Sequence, residues 1–192
     1  MSVPRSPSSA SSLRWLSSKQ LTAGVPGPEL RDWLFDATSL TRRVREICAG
    51  RFRVRLERQE WERPRLDECR ALALRAPRRA LIREVHLLCD ERPWVFARTI
   101  IPATTLRGRQ RHLLRLGERP LGAVLFADPR MRRGPVEVAE IQQGHPLYAA
   151  AVHGSKTRPA SIWGRRSVFW MNDKPLLVSE IFLMPKTLRR PG

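Results

Sequence analysis

Two apolar runs decide the fold of this 192-residue chain: Leu81-Ile82-Arg83-Glu84-Val85-His86-Leu87-Leu88 and Trp94-Val95-Phe96-Ala97-Arg98-Thr99-Ile100-Ile101-Pro102. Both runs are rich in β-branched, aromatic and other large apolar residues, which favours strands. The five residues that join them, Cys89-Asp90-Glu91-Arg92-Pro93, include polar residues that suit a turn. The spacing therefore predicts an antiparallel β-hairpin.

A second hairpin is predicted near the end of the chain, with arms at residues 166–171 and 176–183 around Asn172-Asp173-Lys174-Pro175. Apolar alternation predicts a further strand from residue 52. Helices are predicted at 28–35, 40–49, 106–116 and 120–126. Helices followed by hairpin-connected strands indicate an α+β fold, a single domain with helices packed on an antiparallel sheet. Residues 142–161, which include two glycines and two prolines, read as a long loop or flap, with a short helix as the alternative for residues 146–152.

The chain ends and the apolar runs set the expected domain organisation. Residues 1–12 are rich in Ser and Pro and have no apolar period, so we expect a disordered tail followed by one domain over 13–192. The tail has no apolar stretch typical of a secretory signal, and no run approaches the roughly 20 residues that span a bilayer. We therefore expect a soluble, cytoplasmic protein.

Three ions lie within the apolar strands: Arg83, Arg98 and Glu180. Burying an ion without a partner costs several kcal/mol, so these residues are candidates for chemistry. A carboxyl such as Glu180, with apolar neighbours and a nearby arginine, can act as a general acid or base.

The first hairpin determines whether its two arginines meet. A two-residue turn at Asp90-Glu91 would place Arg83 and Arg98 directly opposite, on one face, where they would favour an anion between them. An odd-numbered loop or a β-bulge would separate them. The alternative to an anion site is an internal ion pair, for example with Glu84 or Glu180.

Composition excludes some classes of site. The formal net charge of +18 suggests an anionic partner, but the arginines are scattered and alternate with apolar residues, so arginine-rich composition is the preferred explanation. The three cysteines, Cys48, Cys69 and Cys89, fit neither a disulfide framework nor a metal clip. The four histidines form no ligand pair, and His86 reads as a structural residue. We expect no metal.

Six motifs in sequence order resemble the chorismate lyase family, from about residue 30 to residue 185. They are Asp32-Trp33-Leu34 with Ser39-Leu40-Thr41, Arg83 to Cys89, Pro93 to Pro102, Pro120-Leu121-Gly122 with Leu125-Phe126, Trp163-Gly164-Arg165-Arg166-Ser167, and Lys174-Pro175-Leu176-Leu177 leading to Glu180-Ile181-Phe182-Leu183. The resemblance implies a single α+β domain, no cofactor, and flaps over an internal ligand pocket. It also implies conversion of chorismate to 4-hydroxybenzoate and pyruvate at the start of ubiquinone synthesis.

The resemblance further implies that Arg83, Leu121 and Glu180 contact the ligand and that Leu40 forms an apolar wall. We expect Arg83 to hold a carboxylate, and Leu121 to offer its backbone N–H. Arg98 would offset charge on the departing enolpyruvate, and Glu180 would accept the proton or bind the ring hydroxyl. The catalytic candidates are thus Glu180, Arg83 and Arg98, with Leu40, Arg83, Leu121 and Glu180 binding substrate.

Two other functions fit parts of the sequence. A non-catalytic carboxylate sensor of the same fold would bind a ligand and leave chorismate intact, and an arginine-rich nucleic-acid-binding protein would bind polyanions. We expect no nucleic acid as partner. We expect a monomer, inhibition by the product 4-hydroxybenzoate, and at most weak contact with an anionic membrane.

Overall fold

The computed structural model describes residues 13–21, 27–74 and 79–184. Its centre is an antiparallel sheet of eight strands: β1 (Leu16–Ser17), β2 (Phe52–Glu62), β3 (Ala80–Cys89), β4 (Arg92–Pro102), β5 (Arg132–Arg133), β6 (Glu137–Gln142), β7 (Ser161–Met171) and β8 (Lys174–Phe182). The strand order is β1-β6-β7-β8-β4-β3-β2, and β5 pairs with β7. The predicted α+β fold and both predicted hairpins are confirmed.

Helices cover both faces of the sheet. They are α1 (Pro28–Phe35), α2 (Leu40–Ile47), α3 (Leu66–Ala71), α4 (Leu121–Ala127) and α5 (Pro146–Ala151), with a 3₁₀ helix at Gly108–Arg115. The predicted N-cap of α2 is confirmed, since the Ser39 side chain accepts a hydrogen bond from the Arg42 backbone N–H. Helices α1, α2 and α4 pack on one face, here called the front, while α3 and α5 pack on the back.

The register of the first hairpin separates its two arginines. Asp90 and Glu91 form a two-residue turn in the left-handed backbone region, as expected. A β-bulge follows, because Leu87 pairs with Val95 whereas Leu88 pairs with Pro93, which leaves Trp94 as the extra residue. Beyond the bulge Arg83 pairs with Thr99, and Arg98 pairs with Glu84. A one-residue shift turns a strand over, so Arg83 faces the front and Arg98 the back.

Arg98 belongs to a buried ion cluster on the back face. Its Nε and Nη2 donate to the two oxygens of Glu68 at 2.7 and 3.1 Å, and its Nη1 donates to Glu84 at 2.5 Å. Burial alone would raise the pKa of Glu68 and of Glu84, but hydrogen bonds from arginines outweigh it and hold both pKa values below the ordinary range. The prediction that Arg98 faces the pocket is therefore wrong, and the alternative of an internal ion pair applies to it.

Two cysteines that are distant in sequence form a disulfide. Cys48 caps the C-terminal end of α2, and Cys89 is the last residue of β3. Their Cα atoms lie 5.8 Å apart, across a sequence separation of 41 residues. The expectation of no disulfide is therefore wrong. The fold brings the end of α2 next to the end of β3, and the spacing of the cysteines in the sequence does not reveal this contact. The disulfide ties the end of α2 to the sheet.

The segment 142–161 does not cover the front face. Its helix α5 packs on the back, where Leu147 and Tyr148 contact a cluster that includes Phe96 and Ile181. His86 anchors this helix, since its Nε2 lies 2.9 Å from the Ala151 carbonyl oxygen and its Nδ1 lies 2.8 Å from Glu57. The structural role expected for His86 is confirmed. The helix considered for residues 146–152 is confirmed as α5, whereas the expected flap is not formed, because α5 packs on the sheet.

Some expectations about the chain ends fall outside the described ranges. The tail predicted at residues 1–12 lies outside them, so the domain limits stay a prediction. Within the described part of the chain, none of the helices has the length and apolar character needed to cross a bilayer.

We predict that Arg98→Leu lowers the free energy of unfolding by about 3–5 kcal/mol, because Glu68 and Glu84 would remain buried with fewer cations. Urea denaturation measures this. Arg42→Leu, at the exposed pair with Glu46, is the control and should cost less than about 1 kcal/mol. Because the pKa of both glutamates is depressed, the cluster stabilises the fold above pH 4.5 and loses this effect as pH falls further. Equal losses in the two variants would contradict a buried cluster.

We predict that reduction of Cys48–Cys89 lowers the free energy of unfolding by about 3–4 kcal/mol, because the bridge restricts a long loop in the unfolded chain. Urea denaturation with and without a reductant measures this loss. In denaturant the oxidised protein should expose one reactive thiol, that of Cys69. A titre of three thiols without reductant would show that the bridge is absent.

Candidate active site

A cavity lies between the front of the sheet and the helices α2 and α4. The space between its lining atoms is about 570 Å³ when the open solvent at the mouth is counted. The walls are mainly apolar, from Leu40, Val54, Val85, Leu87, Ala97, Pro120, Leu121, Leu125, Phe126, Phe169 and Val178. Helices α2 and α4 therefore cover the cavity.

Arg83 projects from β3 into this cavity and is 2% exposed. Its Nη2 donates to the carbonyl oxygens of Gly117 and Arg119 at 2.9 and 3.0 Å. Its Nε is buried and has no hydrogen-bond partner among the described residues, and no carboxylate there forms an ion pair with it. Burial lowers the pKa of Arg83 to about 10. Arg83 is thus a buried cation that is available to bind an anion.

The start of α4 lies beside Arg83, because Arg83 binds the loop that precedes this helix. Pro120 is the N-cap and Leu121 is the first helical residue. The backbone N–H groups of a first helical turn lack partners within the helix and favour an anion. A Cβ atom on Gly122 would lie 3.2 Å from Thr41 Oγ1 and 3.3 Å from Ser39 Oγ, so the glycine lets α4 approach α2 closely.

Glu180 also lines the cavity, from β8, which β4 separates from β3 and Arg83. Its Oε2 accepts a hydrogen bond from Arg165 Nε at 2.6 Å, across the β7–β8 pair. Arg165 is 1% exposed, and its Nη1 donates to the carbonyl oxygens of Trp33 and Asp36 at 2.9 and 2.6 Å. These bonds hold Glu180 in one orientation, and its Oε1 has no partner among the described residues.

Arg133, on β5, is a third cation in the cavity wall. Its Nε donates to Ser167 Oγ at 3.2 Å, and its Nη1 donates to the carbonyl oxygens of Asp36 and Ala37 at 3.3 and 2.9 Å. Its guanidinium carbon lies 5.3 Å from the centre of the Phe169 ring. Burial lowers the pKa of Arg133, and the neighbouring Arg165 lowers it further.

The charges of the cavity are unbalanced and separated. Three guanidiniums and one carboxylate line it, an excess of two positive charges. Arg83 is on β3 and Arg165 on β7, with β4 and β8 between them, so three strand spacings of about 4.8 Å place their backbones about 14 Å apart. The cavity therefore suits a small dianion with an acceptor at each end.

The structure brings most of the predicted site residues together. Leu40, Arg83, Leu121 and Glu180 all line the cavity, whereas Arg98 lies on the other face of the sheet. Sequence reasoning missed Arg165 and Arg133. For Arg165 a signal was present: it adjoins Arg166 in a strand, so one of the two had to face the front. For Arg133 we find none, because β5 has only two residues.

Within residues 13–21, 27–74 and 79–184 no group of three or more His, Cys, Asp and Glu side chains forms a potential metal site. What the cavity offers instead is fixed hydrogen-bond donors and one carboxylate in an apolar enclosure. Such a site can hold a carboxylate substrate in one orientation and stabilise charge that develops during a reaction.

Comparison with known proteins gives a consistent result. Residues 9–191 match the family model described as chorismate lyase. The chain is 44% identical to a probable chorismate pyruvate-lyase of Methylococcus capsulatus, with 84% of this chain and 98% of that protein covered. It is 46% identical to the probable chorismate pyruvate-lyase of an Azoarcus species, with 91% and 92% covered.

Solved structures match the fold at low identity. The C-terminal domain of a histidine utilization repressor from Pseudomonas syringae aligns with a TM-score of 0.51 at 13% identity, covering 74% of this chain and 96% of that one. A GntR-family transcriptional regulator from Bacillus cereus aligns with a TM-score of 0.52 at 11% identity, covering 73% and 96%. These likenesses concern the fold alone.

We predict that Arg83→Met leaves the free energy of unfolding unchanged or raises it by up to about 3 kcal/mol. The pKa of Arg83 is depressed, so below pH 10 its charge opposes folding, and removing the charge removes that cost. We expect benzoate to raise the melting temperature of the wild type, and Arg83→Met should lose this rise. Thermal unfolding with and without benzoate tests both effects, with Arg111→Met, at an exposed site, as the control. A strongly destabilised variant that still responds to benzoate would contradict the assignment.

Proposed function

The chain belongs to the chorismate lyase family, and we propose that it converts chorismate to 4-hydroxybenzoate and pyruvate. The observation that carries the proposal is Arg83, a buried cation without a carboxylate partner among the described residues, in a cavity with two excess positive charges. Chorismate has two carboxylates, one on its ring and one on its enolpyruvyl ether. Its two negative charges therefore compensate the two excess positive charges of the cavity.

The ring carboxylate of the substrate binds at the Arg83 end of the cavity. A guanidinium can hold a carboxylate through two hydrogen bonds, and we assign the ring carboxylate to Arg83. The backbone N–H of Leu121 lies at the start of α4, beside Arg83, and is the second donor. Leu40 and the apolar wall exclude water, which strengthens these interactions.

The elimination takes place at the opposite end of the ring. The bond between the ring and the ether oxygen breaks, the neighbouring carbon that bears the hydroxyl loses its proton, and the ring becomes aromatic. Glu180 is the acidic residue that lines this part of the cavity, held through Oε2 by Arg165, with Oε1 directed to the proton or to the hydroxyl. The proton finally reaches the released enolpyruvate, which becomes pyruvate.

Arg98, expected to act on the departing group, has no place in this scheme. It contacts Glu68 and Glu84 behind the sheet, so its role is to hold α3 and the strands together. Charge on the departing enolpyruvate must be stabilised by cations on the front face.

Finer properties of the enzyme follow from the same proposal. Aromatisation supplies the driving force, so we infer that neither metal nor organic cofactor is needed. An apolar cavity that binds an aromatic carboxylate releases it slowly, so we infer product inhibition by 4-hydroxybenzoate. We further propose a cytoplasmic monomer at the first step of ubiquinone synthesis. Weak contact with an anionic membrane, suggested by the charge of +18, stays a prediction.

The two other functions are less well supported. The transcriptional regulators that match this chain share only its fold, at 11–13% identity, whereas the identity to probable chorismate pyruvate-lyases is 44–46%. A nucleic-acid-binding protein contacts phosphates through exposed cations, so this function does not explain a cation enclosed in an apolar cavity. Turnover of chorismate separates the lyase from both.

We predict that the purified protein forms 4-hydroxybenzoate from chorismate in the presence of a chelator and without added nucleotide. Arg83→Ala and Glu180→Gln should each lower kcat/KM by about 100-fold or more, since each removes a charged contact that the substrate needs. Absorbance of 4-hydroxybenzoate follows the reaction. Circular dichroism checks the fold of each variant, and Arg111→Ala is the control at an exposed site. Binding of chorismate without turnover by the wild type would favour the sensor.

A further inference from the structure

Arg133 is a cavity-lining cation whose charge is not matched by a paired carboxylate among the described residues. Arg165 differs from it, because Glu180 lies directly on Arg165 Nε at 2.6 Å. Once that pair is set aside, the two excess positive charges of the cavity belong to Arg83 and Arg133. The two are far apart, since Arg83 is on β3 while β5, which carries Arg133, pairs with β7 on the side away from β8.

The guanidinium of Arg133 is held in place. Ser167 and the carbonyl oxygens of Asp36 and Ala37 occupy its Nε and Nη1, and its guanidinium carbon lies over the Phe169 ring, 5.3 Å from the ring centre. Its Nη2 has no hydrogen-bond partner in the part of the chain that is described. A cation fixed in this way loses little entropy when an anion binds, so it is suited to recognition.

The shape of the proposed substrate relates the two cations. In chorismate the hydroxyl lies across the ring from the ring carboxylate, and the enolpyruvyl ether lies on the carbon next to the hydroxyl. With the ring carboxylate at Arg83 and the hydroxyl at Glu180, the ether must lie at the Glu180 end of the cavity. Arg133 and Arg165 are the cations there, and Arg165 is engaged with Glu180.

We propose that Arg133 binds the carboxylate of the enolpyruvyl group and so selects a dianionic substrate over a monoanion. This inference rests on the proposed function. When the ether bond breaks, its electron pair moves to the ether oxygen, and the positive charge of Arg133 stabilises the enolpyruvate anion that leaves. The product 4-hydroxybenzoate has no group at this position, so its binding does not depend on Arg133.

The test compares Arg133→Gln with Arg132→Gln. Arg132 is the neighbouring residue on β5, but its side chain is 65% exposed and pairs with Asp173 outside the cavity. The probes are 4-hydroxybenzoate and 3-(carboxymethoxy)-4-hydroxybenzoate, a stable aromatic compound whose second carboxylate stands for that of the enolpyruvyl group. Titration calorimetry measures both dissociation constants for each protein, and the chorismate assay measures kcat/KM.

In Arg133→Gln we expect the affinity for the dianion to fall by about 30- to 100-fold, while that for 4-hydroxybenzoate changes by less than about 3-fold. The kcat/KM for chorismate should fall at least as much as the affinity for the dianion. Arg132→Gln should resemble the wild type in all three measurements. Arg133→Lys, which keeps the charge, should recover part of the dianion affinity and serves as the test if the glutamine variant does not fold.

Three results would overturn the inference: an equal loss of affinity for both probes, which indicates a merely structural role; no loss of affinity for the dianion; or unaffected turnover of chorismate in Arg133→Gln. The proposed function can fail separately. Turnover that is unaffected in Arg133→Gln leaves the lyase assignment standing and removes the role of Arg133. A wild type that never turns over chorismate, but binds the dianion through Arg133, removes the lyase assignment and supports the anion site.

Discussion

The site depends on one buried positive charge that the fold leaves without a carboxylate partner in its described part. Arg83 is held by two carbonyl oxygens, which orient the guanidinium but do not neutralise it. A charge enclosed in this way destabilises the empty protein and is relieved by an anion, so ligand affinity is obtained at the expense of stability. The same two hydrogen bonds place the start of α4 beside Arg83. The anion site and its cover are therefore one structural unit.

The sheet separates two kinds of buried charge. On the back face Arg98 pairs with both Glu68 and Glu84, which Arg65 and Arg58 also contact, so every carboxylate there has a cation and the cluster contributes to the fold. On the front face cations outnumber the single carboxylate, and the imbalance serves the ligand. Arg83 and Arg98 come from neighbouring strands, and both are buried, so burial by itself does not identify a functional ion. The presence or absence of a compensating partner does.

A single inserted residue assigns the two arginines of the first hairpin to different faces. Without the bulge at Trp94, the turn at Asp90 and Glu91 would have placed Arg98 opposite Arg83, as the sequence suggested. With it, Arg98 turns to the back and Thr99 takes its place in the cavity wall. The additional cations of the front face come from elsewhere, Arg165 from β7 and Arg133 from the short strand β5. The cavity therefore keeps its excess charge, but through different residues.

The sequence by itself determined the class of fold, both hairpins, the N-cap of α2 and the ligand-site candidates Arg83, Leu121, Glu180 and Leu40. These follow from local patterns: alternation of apolar residues, turn residues, and motifs shared with the family. Tertiary structure alone decided the register beyond the bulge, the pairing of Cys48 with Cys89, the packing of α5 on the back, and the place of Arg133 in the cavity. Each of these depends on which distant segments meet, because strand register and long-range pairing are set by packing across the whole sheet rather than by neighbours along the chain.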